Sequence, residues 1–369
     1  MYIHQRTEWP GFKWDQAALE PVLGTIRNKQ GRLVGRMESL GFSLRNEAIL
    51  ETMTLEVVNT SDIEGEVLNT DQVRSSIARK LGIEYSGLVP SNRNVDGIVE
   101  VLLEATQNYK NQLTEERLFE WHAALFQTSK SGLQKITIAG WRKDNAGPMQ
   151  VVSGPMGKEK VHFEAPDALR VPLEMKIFMD WFNGNQPIDP VLKSAIAHFW
   201  FVTIHPFDDG NGRIARAIAD MQLARADGMQ QRFYSMSAQI LLERKGYYQI
   251  LEESQKGILD VTRWLQWFLQ CFDAALSTSE ETLKKVIQKA RFWEYLKDKK
   301  LNDRQKLIIN KLLDGFQGKL SSSKWAKITK CSQDTALRDI QNLIDQLVLV
   351  KEESGGRSTS YTMVNKERL

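Results

Sequence analysis

Residues 205–216 read HPFDDGNGRIAR, a stretch that predicts a tight loop followed by a helix. Gly210 and Gly212 let the backbone turn tightly and approach a ligand closely, because glycine has no Cβ. Asn211 is a favourable N-cap residue, so it predicts a helix that begins here and points its free N–H groups into the loop. The loop therefore predicts a nest of N–H donors that suits an anionic ligand.

Charged side chains in the same stretch indicate a phosphate-bearing ligand. Arg213 and Arg216 stand three residues apart, so they are neighbours on one helical face and suit a polyphosphate. Asp209 is a candidate ligand for Mg²⁺ or Mn²⁺, because such a metal is often held by one protein carboxylate together with substrate phosphates. His205 is a candidate proton acceptor near neutral pH.

A bare Gly-Asn-Gly turn could also be a plain connection between two core helices, with its arginines solvated. The combination of base, metal ligand and phosphate nest within one short stretch favours a chemical site over that alternative. The stretch lacks the GxxxxGK[ST] pattern, so a Walker A loop is excluded.

The composition is that of a soluble globular protein. Of the 369 residues, 42% are hydrophobic and 26% are charged, which excludes wholesale disorder. The formal charge of +3 is too small to predict a nucleic-acid or membrane partner for the chain as a whole. No apolar run approaches the roughly 18–20 residues that a bilayer span needs.

Two features of the sequence, its first residues and its cysteines, bear on the cellular compartment. Residues 1–14, MYIHQRTEWPGFKW, lack the apolar region of a signal peptide. Cys271 and Cys331 stand far apart and fit neither a disulfide framework nor a zinc cluster. The expectation is a cytoplasmic protein with no membrane partner.

Most of the chain has the periodicity of a helical protein, which predicts an all-α fold class. Helices are predicted at about 14–40, 44–62, after a cap at 69–71, at 98–109, from Thr114 onward, and at 166–184, 188–203, 212–227, 241–256 and 258–275. Residues 135–166 break the pattern with glycines, prolines and two β-prone runs. A β-hairpin flap inserted in the helical body is therefore predicted there.

The pattern changes again after the charged stretch 297–300. Residues 301–313 are predicted to form a helix, and residues 321–346 have the pattern of a helix–turn–helix. Residues 347–364 are predicted to form two strands around Gly355 and Gly356. A small basic winged-helix-like domain is predicted at 301–369. The expected division is an N-terminal helical segment at 1–97, a core at 98–277 with its flap at 135–166, a helical linker at 278–300 and the domain at 301–369.

Residues 205–216 resemble the signature of the Fic family, H-P-F-x-(D/E)-G-N-G-R-x-x-R, and match every fixed position. Residues 14–41 are similar to the helical segment that precedes many bacterial Fic domains, and residues 247–269 are similar to the helices that follow the motif. The resemblance covers about residues 1–275. It implies an all-α Fic core with a β-hairpin flap, and transfer of AMP from ATP to a hydroxyl of a target protein.

The resemblance also implies roles for the residues of the loop. His205 would be the general base, Asp209 would hold Mg²⁺ between the α- and β-phosphates, and Arg213 would neutralise the β-phosphate. Phe207 would anchor the loop from inside. Phosphate contacts through the backbone are implied for Gly210, Asn211 and Gly212.

Other implied contacts lie outside the loop. Tyr247 occupies the place of a family tyrosine near the adenine, and Gln255 stands where some relatives have Asn in the same pocket. The flap would clamp an extended target segment by strand addition, although a solvent-exposed hairpin is an equal alternative. The flap residues expected beside nucleotide and target are Pro148, Val151, Val152, Ser153 and Gly154. His122 and His198 are expected to be structural.

A second motif lies upstream, at residues 60–65, TSDIEG. It matches the family's inhibitory pattern (S/T)-x-x-x-E-(G/N), with Thr60 and Glu64 one helical turn apart and Gly65 after them. In the family this glutamate pairs with the second motif arginine, here Arg216, and obstructs the γ-phosphate. The alternative is an ordinary helix that ends at Gly65 with a surface glutamate.

The leading functional prediction is an AMP transferase that uses ATP and Mg²⁺ or Mn²⁺ and is inhibited by its own Glu64. Two alternatives stay open. The same pocket could remove AMP from a modified protein, with Glu64 orienting a water, or the chain could be a DNA-binding regulator with a nucleotide-sensing core. The expected partners are an unidentified target protein, DNA at the 332–346 helix of the C-terminal domain, and a second copy in a homodimer.

Overall fold

A computed structural model describes the chain apart from residues 41, 85–86, 127–129, 132–133, 145–146, 156–157, 317, 353–358 and 365–369. The chain divides into two compact units. The first unit comprises Met1–Leu81 and Pro90–Thr282, and the second comprises Gly82–Val89 and Leu283–Leu369. The finer division predicted from the sequence, at 1–97, 98–277, 278–300 and 301–369, stays a prediction.

The all-α fold class is confirmed, since helices dominate the described residues. Those that begin in the first unit are α1 (Gln16–Glu38), α2 (Phe42–Ile63), α3 (Thr70–Leu81), α4 (Arg93–Gln107), α5 (Glu115–Leu125), α6 (Val171–Asn183), α7 (Pro190–Ile204), α8 (Asn211–Asp227), α9 (Met236–Leu242), α10 (Arg244–Ser254) and α11 (Thr262–Leu296).

Two helices differ from the predicted bounds. The helix expected at 241–256 is two helices, α9 and α10, which meet at Glu243 with φ −108° and ψ 26°, outside the helical region. The helix expected at 258–275 continues to Leu296. Buried Leu276, Leu283 and Val286 extend its apolar period, so the helix keeps burying one face beyond the predicted end.

Helix α7 forms the centre of the first unit. Every residue from Val191 to Ile204 is buried, as expected for a helix that is apolar on all sides. Helix α8 packs along α7, and α4 and α5 pack against α8. Helix α2 contacts α3, α9 and also α8, so its C-terminal end is brought to the N-terminal end of α8.

The predicted flap is present as an antiparallel hairpin. Strand β3 (Gln150–Ser153) pairs with β4 (Lys160–Glu164) in the register Gln150↔Glu164 and Ser153↔Lys160, with an irregularity between Val151 and Val152. A short hairpin of β1 (Lys130–Ser131) and β2 (Gln134–Lys135) precedes it, which the sequence did not predict.

The second unit contains α12 (Asp303–Leu313), α13 (Ser322–Thr329), α14 (Gln333–Asp345) and the antiparallel strands β5 (Leu349–Lys351) and β6 (Tyr361–Met363). Its core gathers around Trp325, which is fully buried with Ile308, Ile340 and Leu349. The order of three helices and a hairpin is the predicted one. The turn at Gly355 and Gly356 lies outside the described residues, and the winged-helix class stays a prediction.

No helix in the described part of the chain combines the length and the apolar character that crossing a bilayer requires.

The packing of α4 on α5 predicts a strong effect of one methyl group. A Cβ at Gly97 would lie 1.9 Å from the carbonyl oxygen of Ala124, so Gly97→Ala should lower the free energy of unfolding by about 2 kcal/mol or more. Gly31→Ala in α1 is the matched control. No atom lies within 4 Å of its added Cβ, so it should raise that free energy by up to about 1 kcal/mol. Urea unfolding followed by tryptophan fluorescence measures both, and equal stability of the two variants would contradict the packing.

Candidate active site

The connection between α7 and α8 is a short loop in an uncommon backbone conformation. His205 ends α7 with φ 52° and ψ 59°, in the left-handed region that residues other than glycine seldom occupy. Gly210 precedes α8 with φ 80°. A Cβ at Gly210 would lie 2.7 Å from Cε2 of Phe126. Position 210 therefore needs glycine both for its dihedral angle and for close packing.

The expected N-cap role of Asn211 is wrong. Gly210 is the N-cap of α8, and Asn211 is the first helical residue. The Asn211 side chain turns back to Phe207 instead, where Oδ1 accepts from the backbone N–H at 3.0 Å and Nδ2 donates to the carbonyl at 2.8 Å. The amide carries a donor and an acceptor on two separate atoms, so it closes the loop into a ring that the acceptor-only carboxylate of Asp could not close. Phe207 is fully buried, in agreement with its expected anchoring role.

Arg142, which sequence reasoning missed, holds the first half of this loop. Its Nε donates to the carbonyl of His205 at 2.7 Å, and its backbone N–H donates to the carbonyl of Pro206 at 3.0 Å. The guanidinium also donates to the carbonyl of Pro166 and pairs with Asp144. The fork of a buried arginine thus ties the base of the flap to the strained turn at His205.

His122 holds the second half of the loop. Burial lowers the pKa of His122 to about 4, so the ring is neutral at pH 7. The N–H of Ala139 donates to Nδ1 at 3.3 Å, so the ring proton is on Nε2, which donates to the carbonyl of Asp209 at 3.3 Å. The ring stacks on Phe207 with 4.3 Å between centroids. His122 therefore has a structural role, as expected.

The His205 side chain is prepared to accept a proton. Burial lowers its pKa to about 4, so it is neutral at pH 7. Nδ1 lies 3.2 Å from the carbonyl of Val202, which can only accept a hydrogen bond. The ring proton must then be on Nδ1, and Nε2 has the lone pair that a general base needs.

Arg216 is buried and binds the TSDIEG segment, residues 60–65, at the end of α2. Its Nη2 donates to Glu64 Oε1 at 2.6 Å and to the carbonyl of Thr60 at 3.0 Å, while Nε donates to Thr60 Oγ1 at 2.7 Å. Arg216 is 3% exposed, whereas the side chain of Glu64 is 33% exposed. The structure thus brings together the three residues that the two motifs contribute.

Two glycines allow this ion pair. Gly65 follows Glu64 with φ +84°, which ends the helical course of α2. A Cβ at Gly212 would lie 2.3 Å from Glu64 Oε1 and 3.2 Å from Arg216 Nη1. The Glu64 carboxylate therefore occupies the space that a side chain at position 212 would fill.

Arg213 is also paired. Its Nη1 donates to Glu66 Oε2 at 3.1 Å, and its guanidinium lies over the ring of Phe126 at 5.1 Å. Sequence reasoning missed Glu66. The available signal was the sequence Glu-Gly-Glu at 64–66, which places a second carboxylate two residues after the first.

The tyrosines of α10 are divided between interior and surface. Tyr247 is 2% exposed, and its hydroxyl forms a hydrogen bond with His198 Nε2 at 2.9 Å. Burial lowers the pKa of His198 to about 3, so this histidine is neutral and structural. Tyr248 is 41% exposed and donates to the carbonyl of Ile63 at 3.2 Å. The sequence analysis predicts an adenine contact for Tyr247 and overlooks Tyr248, which is the more exposed of the two and lies beside the TSDIEG segment.

Gln255 is buried just after α10. Its Nε2 donates to Thr203 Oγ1 at 3.2 Å, and its carbonyl accepts from the N–H of Ile3 at 3.0 Å. Gln255 therefore joins the N-terminal residues to α7, and its predicted nucleotide contact stays a prediction.

The flap is fastened to α10 through a histidine. His162 Nε2 lies 2.6 Å from Ser153 Oγ, and His162 Nδ1 lies 2.5 Å from Glu252 Oε2. Lys256 and His162 hold the pKa of the Glu252 carboxyl near 2, so the carboxylate is charged at neutral pH. Nδ1–H therefore donates to Glu252, and Nε2 faces the serine hydroxyl.

The outer residues of the flap are accessible. Val152 is 47% exposed, and Gly154 turns the chain with φ +105°. Val151 is half-buried and Phe163 is fully buried, so one face of the hairpin is packed. Contacts of Val152, Ser153 and Gly154 with nucleotide or target stay predictions.

Replacing Arg142 should loosen the loop that carries His205. Arg142→Ala removes the side-chain donors to Asp144 Oδ1 and to the carbonyls of His205 and Pro166, while the backbone N–H still donates to Pro206. The free energy of unfolding should therefore fall by about 3 kcal/mol. Lys143→Ala, at the exposed neighbouring position, should change it by less than about 0.5 kcal/mol. Urea unfolding gives both values, and amide exchange at residues 205–210 should accelerate only in the first variant. Unchanged exchange there would contradict the anchoring role.

Comparison with known families adds two matches. A sequence model of the Fic/DOC family matches residues 112–223, which include the loop and most of α8. A domain of unknown function, DUF4172, matches residues 2–83, which include Thr60 and Glu64.

Three relatives illustrate the similarity. The chain is 26% identical to protein adenylyltransferase fic-1 of Caenorhabditis elegans over 219 residues. This aligned region covers 57% of this chain and 40% of the relative. It is 31% identical over 103 residues to a probable protein adenylyltransferase of Aquifex aeolicus, covering 28% of this chain and 30% of the relative. The chain thus spans less than half the length of these curated relatives. A Fic family protein of Desulfovibrio desulfuricans shares the fold, with a TM-score of 0.51 at 20% identity over 93% of this chain and 96% of that one.

Proposed function

We infer that the chain, whose residues 112–223 match the Fic/DOC family, is a nucleotidyl transferase that moves AMP from ATP to a hydroxyl of a target protein. The observation that carries the inference is the neutral His205, whose Nε2 has a lone pair beside the N-terminal end of α8. A proton acceptor next to N–H donors and two arginines is the arrangement that in-line attack on a phosphorus requires.

In the proposed reaction, His205 Nε2 accepts the proton of a Ser, Thr or Tyr hydroxyl as the oxygen attacks the α-phosphorus. The bond between the α-phosphorus and the bridging oxygen breaks, and pyrophosphate leaves. Arg213 and the first N–H groups of α8 stabilise the charge that develops on the leaving group. Positioning and charge neutralisation supply most of the barrier reduction in such a reaction.

Asp209 fits a divalent cation that arrives with the nucleotide. Among the described residues, no group of three or more His, Cys, Asp or Glu side chains gathers to hold a metal by the protein alone. Mg²⁺ commonly uses one carboxylate together with phosphate oxygens and waters, which a single loop carboxylate can satisfy. When bound, Mg²⁺ would supply positive charge to the phosphates.

We further propose that Glu64 keeps this activity low. Arg216 is buried and already pairs with Glu64 at 2.6 Å. A γ-phosphate in the same place would meet the carboxylate, and two negative groups in a partly desolvated site repel strongly. ATP could then bind only with its triphosphate displaced, so the α-phosphorus would be out of line with the hydroxyl.

Removing the carboxylate should therefore activate the enzyme. Glu64→Gly frees Arg216 for the nucleotide and should raise labelling of the protein itself or of a lysate by at least about tenfold, which corresponds to about 1.4 kcal/mol of barrier. The measurement is incorporation from α-³²P-ATP with Mg²⁺. Adding His205→Ala to Glu64→Gly should lower the rate by a factor on the order of 10²–10⁴, because the proton acceptor is lost.

Three outcomes would contradict parts of the proposed function. Equal labelling by wild type and Glu64→Gly would show that the TSDIEG segment is only a helix end. Labelling by the Glu64→Gly/His205→Ala variant that equals that of Glu64→Gly would show that His205 is not the general base. If the wild type removes AMP from a labelled substrate and Glu64→Gly does not, then removal of AMP, not its transfer, is the reaction of this site.

A second proposal concerns DNA and the second unit. Residues 283–369 contain 19 Lys and Arg against 10 Asp and Glu, whereas the whole chain has 49 against 46. An open groove of about 790 Å³ in this unit is lined by Lys297, Lys299, Lys300, Lys306 and Arg338. A surface of this charge suits the phosphate backbone of duplex DNA.

The full-length protein should therefore bind duplex DNA with a strong dependence on salt. Alanine at Lys297, Lys300 and Arg338 removes three cations of the groove and should reduce the slope of log K against log salt by up to about 3. Alanine at Lys110, Lys143 and Lys245, three exposed lysines of the first unit, is the matched control. Fluorescence anisotropy with a labelled duplex measures both. An absence of binding at low salt would oppose the proposal, as would equal slopes for the two variants.

A further inference from the structure

Two carboxylates from one short segment bind the two arginines at the start of α8. Glu64 pairs with Arg216 at 2.6 Å, and Glu66 pairs with Arg213 at 3.1 Å. Gly65 lies between the two glutamates with φ +84°. The segment therefore directs two anionic groups to the same end of α8, where anions are stabilised by the helix dipole.

The contacts of Glu66 are those of a positioned side chain. Its Oε2 accepts from Arg213, and its Oε1 accepts from Nδ2 of Asn94 in the first turn of α4. Its backbone N–H donates to the carbonyl of Ser61 at 3.0 Å. The side chain of Arg213 is 10% exposed and that of Glu66 is 37% exposed, so the pair is desolvated on the side of the arginine and open to solvent on the side of the carboxylate. Both carboxylate oxygens and the backbone of Glu66 are thus held.

We propose that Glu66 fills the position of the β-phosphate, as Glu64 fills that of the γ-phosphate, and that the two residues together determine which nucleotide the site admits. This inference rests on the proposed function, in which Arg213 neutralises the β-phosphate. A guanidinium with a bound carboxylate must release it before it can bind a phosphate in the same geometry. Each glutamate therefore competes with one phosphate.

The consequence is a pattern across AMP, ADP and ATP. AMP has neither contested phosphate, so neither glutamate should oppose its binding strongly. ADP has the β-phosphate, so Glu66 opposes ADP. ATP has both phosphates, so Glu64 and Glu66 both oppose ATP. An inhibitor that acted only at Arg216 would leave ADP unaffected, so the response of ADP isolates the contribution of Glu66.

The experiment measures nucleotide binding by isothermal titration calorimetry on full-length protein carrying His205→Ala, which prevents turnover. Mg²⁺ with AMP, ADP or ATP is titrated into variants with Glu64→Ala, Glu66→Ala or both. Glu66→Gln removes the charge while keeping the size and the contact with Asn94. The matched control is Glu100→Ala, because Glu100 forms a solvent-exposed pair with Lys80 at the same 3.1 Å distance.

Glu66→Ala and Glu66→Gln should each lower the dissociation constants of ADP and ATP by about tenfold, since a hydrogen bond between charged groups contributes about that factor. The dissociation constant of AMP should change by less than about threefold. Glu64→Ala should lower the dissociation constant of ATP by a similar factor and change that of ADP by less than about threefold. Glu100→Ala should change none of the three nucleotides.

Three results would overturn the inference. Tighter ATP binding by Glu64→Ala, with no effect of either Glu66 variant on ADP, would leave the proposed function intact and make Glu66 an ordinary surface residue. An equal gain for AMP and ADP on removing Glu66 would indicate general electrostatics rather than occupation of one subsite. A lack of nucleotide binding by every variant, in protein whose thermal unfolding is unchanged, would overturn the proposed function together with this inference.

Discussion

A buried guanidinium must be paired with an anion, and much of the site follows from how Arg216 meets that constraint. Arg216 is 3% exposed and is bound by Glu64 and Thr60 from the end of α2. Removing one partner of such a pair leaves an uncompensated buried charge, which is costly. The pair therefore persists until another anion replaces the carboxylate. This pair is the physical link between the TSDIEG segment and the ligand that we propose for the site.

A second constraint is the precision of the loop between α7 and α8. The left-handed turn at His205 has a cost for a residue with a Cβ, and it persists because its surroundings determine it. Arg142 and His122 hold the loop from one side, and Asn211 closes it from within. Neutral histidines suit this role, because each has one donor and one acceptor nitrogen with a fixed assignment. The rigidity of the loop is thus distributed over polar contacts from distant segments.

Local sequence was sufficient wherever one feature dominates a segment. The apolar run of α7 predicts a buried helix, and the flap strands follow from short β-prone runs between glycines and prolines. The ion pair between Glu64 and Arg216 was also expected, because the resemblance of both motifs to those of the Fic family implies it. Local sequence was insufficient at the break between α9 and α10, since the residues next to Glu243, Leu242 and Arg244, are good helix formers and do not mark the break.

The residues of the loop can be read directly from the sequence: a histidine, a carboxylate, two arginines and glycines where the backbone must turn. Which of these groups are in contact, and in what protonation state, depends on the tertiary structure. Asn211 serves the loop rather than capping α8, Arg213 is occupied by Glu66, and Nε2 of His205 is left with the lone pair. Each outcome depends on atoms that are close in space but belong to residues without a shared local pattern. A hydrogen bond to a carbonyl or a burial that shifts a pKa leaves no signature in the neighbouring sequence, because both arise from the packing of the whole unit.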